Sequence, residues 1–438
     1  MGQGGSFMEW KKNFESKIVT ADEASRKIKS GDRVVLGNAC AAPKDVVKAM
    51  VLNKENYRNV EIMNMLLLEE CEYVKPEMEP YFRHNSLFVG GGVREAVMSG
   101  RADYTPCFFS EMPKLFRSIR VDVAIINVSA PDEHGYCSFG VSVDYIKAAA
   151  EEAKIVIAEV NDKMPRTIGD SFIHVSKIDY IVKTSNDIVE LKPPKIGELE
   201  RAIGENCAKL VEDESTLQLG IGAIPDAVLL FLKDKKNLGL HSEMISDGVV
   251  ELIESGVITN EAKTLHRGRS VITFLMGTKK LYDYVDNNPN IIVYPVDYVN
   301  DPRVIAQNDK MVSINSCIQV DLMGQVAADT IGLTQFSGVG GQVDFIRGAA
   351  MSKGGKSIIA MPSTAGHGKF SRIVPMLDEG AAVTTSRNDI HYVVTEFGIA
   401  ELKGRTLRDR ARNLINVAHP NFKEELISEW ERRFKMKF

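Results

Sequence analysis

Long apolar runs are missing from this chain of 438 residues, and no stretch approaches the roughly 20 residues that a membrane-spanning helix needs. Cysteine is scarce and scattered. Cys40, Cys71, Cys107, Cys137, Cys207 and Cys317 form no CxxC pair, which argues against a disulfide scaffold or a thiolate metal site and fits reduced thiols in a cytoplasmic protein. No charge of one sign dominates: 54 basic against 59 acidic side chains leave a net charge of −5, which gives no reason to expect nucleic acid or a membrane surface as partner. There is no low-complexity tract, no solenoid period and no GxGxxG dinucleotide fingerprint, so a nicotinamide oxidoreductase has little support.

What is present is an ordinary globular composition, 44% hydrophobic and 26% charged. The length exceeds one comfortable core, so two domains of about 200 residues are expected. Residues 1–7 match a myristoylation pattern but read better as an appended or disordered leader before Met8. Short apolar runs bounded by Gly, Asn or Asp, such as Arg33–Leu36, Val123–Ile126, Ile155–Ala158, Thr216–Leu219, Val271–Phe274 and Ser357–Ala360, predict buried strands. Helical spacing between them, as in Pro43–Met50, predicts an α/β fold with helix-covered parallel sheets. The halves echo each other at three places: Val34–Gly37 with Leu217–Gly220, Phe88–Val93 with Phe336–Gly341, and Ile178–Val182 with Ile390–Val394. Three matches in one order suggest duplication. The prolines Pro193 and Pro194 interrupt both helix and strand, dividing the chain into domains 8–194 and 195–438, with Ile196-Gly197-Glu198 opening a helix.

Two runs in the second half carry the chemistry. The first is the turn Gly220, Ile221, Gly222, Ala223, Ile224, which follows a predicted strand and leads into a helix with Pro225 in its first turn. Bare N–H groups at such a helix entrance attract an anion or a developing oxyanion, although a tight structural turn would look the same. The second is Leu240–Gly248, in which Glu243 stands among apolar neighbours at the edge of a predicted buried strand. Partial burial would raise its basicity and nucleophilicity, provided nearby donors keep it ionised. His241 and Ser242 adjoin it, but strand neighbours point to opposite faces, so neither receives a catalytic role. A second glycine cluster, Gly338, Gly340 and Gly341, removes Cβ atoms and lets backbone approach a ligand closely.

Together these runs resemble the acetyl-CoA hydrolase/transferase family from about Met8 to the C-terminus, in wording closest to its 4-hydroxybutyrate CoA-transferase branch. The resemblance implies two similar open α/β domains with the active site in the cleft between them, and Glu243 as the nucleophile that carries coenzyme A as a glutamyl thioester. It places Gly220 to Ile224, Asn315, Gly338, Gly340 and Gly341 against coenzyme A. The substrates it implies are an acyl-CoA and short-chain carboxylates such as acetate, with no metal and no permanently bound cofactor, in a homodimer or higher homo-oligomer. Asn38 is a candidate for the acyl pocket. The family also carries Asp132-Glu133-His134-Gly135, which reads here as architecture. Cys40 has no recognisable base partner and reads as a buried structural thiol. Lys279, Lys280, Arg347, Lys353 and Lys356 could meet phosphates, but most such charges are simply solvated. An acyl-CoA hydrolase and a non-catalytic ligand-binding or regulatory protein on the same scaffold remain open alternatives.

Overall fold

The computed structural model describes residues 9–438, and the expectation for the leader 1–7 lies outside them. The chain forms two compact units. One runs up to Leu191 and takes in Ile272–Tyr298; the other comprises Lys192–Val271 and Val299–Phe438. Among the described residues no helix is long and apolar enough to cross a membrane.

The first unit is built on seven strands: β1 (Arg33–Leu36), β2 (Val60–Asn64), β3 (Phe82–Ser86), β4 (Asp103–Tyr104), β5 (Val123–Val128), β6 (Ile155–Asn161) and β7 (Tyr180–Thr184). Their order is β7-β6-β5-β1-β2-β3-β4, and every pairing is parallel. All six residues of β5 are buried, as a strand covered on both faces requires. One face packs Val34, Leu36, Ile62, Phe82, Val123 and Ile125 into a single core.

The second unit opens with helix α1 (Glu198–Ala208), where the sequence places a helix start. Gly197 is its N-cap, and its N–H donates to the Glu200 carboxylate at 3.0 Å. The sheet contains β8 (Thr216–Leu219), β9 (Gly239–Leu240), β10 (Met311–Asn315), β11 (Lys356–Ala360), β12 (Tyr392–Thr395) and β13 (Gly398–Glu401), in the order β9-β8-β10-β11-β12-β13. Pairing is parallel except for the final hairpin. Its core includes Ile346, Ile359, Val393, Leu414 and the fully buried Trp430.

The strand order β2-β1-β5-β6-β7 in one unit repeats as β9-β8-β10-β11-β12 in the other. Two of the three sequence echoes fall on strands that correspond in this repeat, β1 with β8 and β7 with β12. The middle one does not. Phe88–Val93 runs into a helix (Gly91–Met98) between β3 and β4, whereas Phe336–Gly341 precedes a helix between β10 and β11. Glycine density alone produced that match. The sequence also reads Val271–Phe274 as one strand in the C-terminal half. The strand there breaks after Ile272, and the chain from Ile272 to Tyr298 belongs to the first unit. Its segment Ile291–Val293 pairs in parallel with Ile168–Gly169, so the first compact unit is not contiguous in sequence.

Candidate active site

From β8 the chain of the second unit moves outward to β9 on one side and later returns to β10 on the other. At such a reversal, the connections leave the carboxyl ends of neighbouring strands in opposite directions and open a crevice that binds ligands. The expected site residues lie around this point. Gly220 directly follows β8, Asn315 ends β10, and Glu243 comes three residues after β9. Asn315 and Gln218 exchange amide hydrogen bonds at 3.1 and 3.3 Å, which ties the ends of β8 and β10 together.

The glycine turn differs from its sequence reading in one respect. Helix α2 (Ala223–Leu230) starts at Ala223, so Ala223 and Ile224 belong to its first turn and Pro225 is its third residue. Gly222 is the N-cap with φ of 129°, a backbone conformation open only to glycine. A Cβ on Gly220 would meet no atom within 4 Å, which leaves this side of the turn open to a ligand.

Glu243 is held through its neighbours. His241 N–H donates to Leu217 O at 3.1 Å and Ser242 N–H to Val271 O at 3.0 Å. The Ser242 hydroxyl lies 3.3 Å from both N and O of Leu219, so it clamps the end of β8 next to the glycine turn. Both side chains are buried and structural, while Glu243 itself is half-buried. Asn300 Nδ2 donates to Glu243 Oε2 at 2.8 Å. Asn300 is fully buried, and its Oδ1 has no partner. An amide aimed in this way stabilises the ionised carboxylate and fixes its rotamer.

Gly341 completes the arrangement. A Cβ at this position would overlap Glu243 Oε2 and come within 2.5 Å of Asn300 Nδ2. Its φ of −99° is ordinary, so the absent side chain matters here rather than any special backbone. Gly340 is the residue with the left-handed φ, 53°, and Gly338 is buried nearby in sequence. The three segments that carry the candidates each run into a helix: α2, α3 (Asp247–Glu254) and α4 (Gln342–Met351). Each therefore presents backbone N–H groups and the positive end of a helix dipole beside the candidate residues.

Other expected residues have different tasks. Asn38, proposed for the acyl pocket, is fully buried with its amide committed: Nδ2 donates to Asp144 at 2.9 Å and Oδ1 accepts from Leu66 N at 3.1 Å. These contacts make it a tie between loops of the first unit. Cys40 is buried, which pushes its thiol up to about 11 and removes it as a nucleophile at neutral pH. Asp132 accepts from the backbone N–H groups of His134 and Tyr136, as expected of an architectural turn. Lys279, Arg347 and Lys356 pair with Asp283, Asp389 and Glu212. Among the described residues, no group of three or more His, Cys, Asp or Glu side chains is arranged to hold a metal.

Sequence reasoning missed Asn300. It stands in Asn300-Asp301-Pro302, a composition that signals a turn, and its approach to Glu243 depends on tertiary structure alone.

Comparison with known proteins adds to this geometry. The acetyl-CoA hydrolase/transferase N-terminal domain matches residues 5–193, and the C-terminal domain of the same name matches residues 277–430. The chain is 66% identical over 429 residues to the 4-hydroxybutyrate coenzyme A transferase of Clostridium kluyveri, covering 98% of this chain and 100% of that protein. The crystal structure of a 4-hydroxybutyrate CoA-transferase from Porphyromonas gingivalis superimposes with a TM-score of 0.85 at 46% identity, covering 97% of this chain and 100% of that one. RipA from Yersinia pestis superimposes with a TM-score of 0.91 at 38% identity, covering 98% and 100%. On matches that span both halves, the chain belongs to the acetyl-CoA hydrolase/transferase family.

Proposed function

We propose that this protein transfers coenzyme A between an acyl-CoA, 4-hydroxybutyryl-CoA or a related short-chain thioester, and a carboxylate such as acetate, by way of a glutamyl-CoA thioester on Glu243. Several relatives that match nearly the whole chain are named as CoA-transferases, including a butyryl-CoA:acetate CoA-transferase 39% identical to this chain. The observation that carries the assignment of Glu243 is its half-buried carboxylate, held by the Asn300 amide at 2.8 Å and fitted against the bare Cα of Gly341.

In this mechanism the Glu243 carboxylate attacks the acyl-CoA carbonyl and expels CoA thiolate, leaving a mixed anhydride. The thiolate then attacks the glutamyl carbonyl, releasing the first acid and leaving glutamyl-CoA. An incoming carboxylate attacks that thioester and expels thiolate, which takes the new acyl group and regenerates Glu243. No ATP is consumed, because one thioester is exchanged for another. Each tetrahedral intermediate requires hydrogen-bond donors for its oxyanion, a task suited to the backbone N–H groups of Gly220–Ala223 and Gly340–Gly341. Ping-pong kinetics follow.

The covalent intermediate provides the test. Protein incubated with 4-hydroxybutyryl-CoA and no acceptor should gain the mass of coenzyme A, not of the acyl group, on the peptide containing Glu243. Acetate should discharge the label as acetyl-CoA. An unmodified peptide under single-turnover conditions would rule out the thioester. Loss of the label to water at the turnover rate would identify a hydrolase instead.

A further inference from the structure

The segments bearing Glu243, Asn300 and Gly341 are far apart in sequence and share one buried neighbour, His241. Its Nε2 lies 2.7 Å from the carbonyl oxygen of Val299, the residue before Asn300. Its ring centroid is 6.3 Å from that of Phe345, in the first turn of the helix that follows Gly341. Its own backbone continues the β9 strand toward Glu243 and donates to Leu217 O. A carbonyl can only accept, so Nε2 carries the hydrogen and the imidazole is fixed in one tautomer. Full burial pushes the imidazole down to about 3, so it stays neutral. The residue before it is secured as well, since Lys263 Nζ donates to Leu240 O at 3.0 Å and to Arg269 O at 2.7 Å.

From this geometry we propose that His241 is a positioning residue for the transfer reaction: by holding the Val299 carbonyl it sets the direction of the Asn300 amide, and through it the rotamer of the Glu243 carboxylate. The inference rests on the reading of Glu243 as the residue that accepts coenzyme A. Asn300 is bounded on its other side by Asp301, whose carboxylate accepts from Arg303 N at 2.9 Å to cap the helix Pro302–Ile305. The backbone at Asn300 is thus gripped from both sides. The Asn300 side chain is fully buried, so its position is set by the segments packed around it.

The test compares His241→Gln, His241→Asn and His241→Leu in the full chain, measuring kcat and KM with 4-hydroxybutyryl-CoA and acetate. A glutamine Nε2 can reach the position of the imidazole Nε2, whereas asparagine is too short and leucine has no donor. Losing one neutral hydrogen bond from a positioning frame is expected to lower kcat about tenfold in the Leu and Asn variants. KM should stay within about twofold, and the Gln variant should recover most of the rate. A merely structural histidine would show no such recovery and no preference for kcat over KM. The proposal is overturned if Leu and Asn keep the parental kcat, if Gln is no better than Leu, or if the loss lies in KM. Should the Leu variant fail to fold, the Gln and Asn pair decides alone. A Glu243→Gln variant measured in parallel separates the two claims. Full activity there defeats the nucleophile assignment itself, whereas an inactive Glu243→Gln beside a fully active His241→Asn defeats only the positioning role.

Discussion

Replacing Glu243 by glutamine is expected to reduce transfer by about 10⁴-fold or more, the scale seen when a covalent catalyst loses its nucleophile. The amide is nearly isosteric with the carboxylate and still fits beside Gly341, so the fold should be unaffected. Chemically the change is drastic. A carboxylate oxygen offers a charged lone pair to the thioester carbonyl, while the amide offers a neutral oxygen and a nitrogen whose lone pair is delocalised. The hydrogen bond to Asn300 is also affected. Nδ2 can still donate if the new amide turns its oxygen toward it, but the opposite flip places two N–H groups face to face. The readout is initial transfer rate together with intact mass after exposure to acyl-CoA. An intact fold without rate and without adduct is the expected result. Activity near the parental level in a pure preparation would remove Glu243 from the mechanism.

Gly341→Ala should also be strongly damaging, although it adds only one methyl group. The backbone at 341 has an ordinary φ of −99°, so alanine is tolerated conformationally. The methyl instead overlaps the Glu243 carboxylate oxygen and crowds the Asn300 amide. Both side chains must turn away, and the carboxylate loses its attack geometry. A displacement of about 1 Å in a reacting group can cost about 100-fold, so a loss of kcat of that order is expected, with a change in thermal midpoint of only a few degrees. Gly340→Ala is a useful contrast, because its left-handed φ of 53° should make stability the first casualty. Parental kcat in a folded Gly341→Ala protein would show that the carboxylate does not need this space.

Much of the framework was legible because parallel strands buried on both faces are written as short apolar runs. Arg33–Leu36 and Thr216–Leu219 occur as strands with the bounds read from sequence, and both lie where the strand order reverses. Glu243 was legible as a polar residue set into an apolar strand edge beside a glycine turn. Its partners were not. Asn300 lies in a turn-like tripeptide with no periodicity, and the donor it provides exists only once the chain has folded. Strand neighbours face opposite ways, so sequence gives His241 no link to Glu243, yet its ring meets the backbone of another segment at Val299 and need not face Glu243. Glycine density marks the cluster at Gly338–Gly341, but only the folded chain distinguishes Gly341, which makes room for a carboxylate, from Gly340, which turns the backbone. The same density created the false internal match with Phe88–Val93.

The excursion of Ile272–Tyr298 into the first unit bears on how the protein can be taken apart. A cut after Leu191 looks like a natural seam, since Pro193 and Pro194 lie just beyond it. The C-terminal piece so released would still contain Ile291–Val293 without its strand partner Ile168–Gly169, although Ile292 and Val293 are buried in the intact chain. The N-terminal piece would lack the strand that fits against Gly169, where a Cβ would strike the Val293 backbone. Split-protein fragments or single-domain expression are therefore better designed by joining Ile272–Tyr298 to the first unit through a linker than by cutting at the apparent proline hinge.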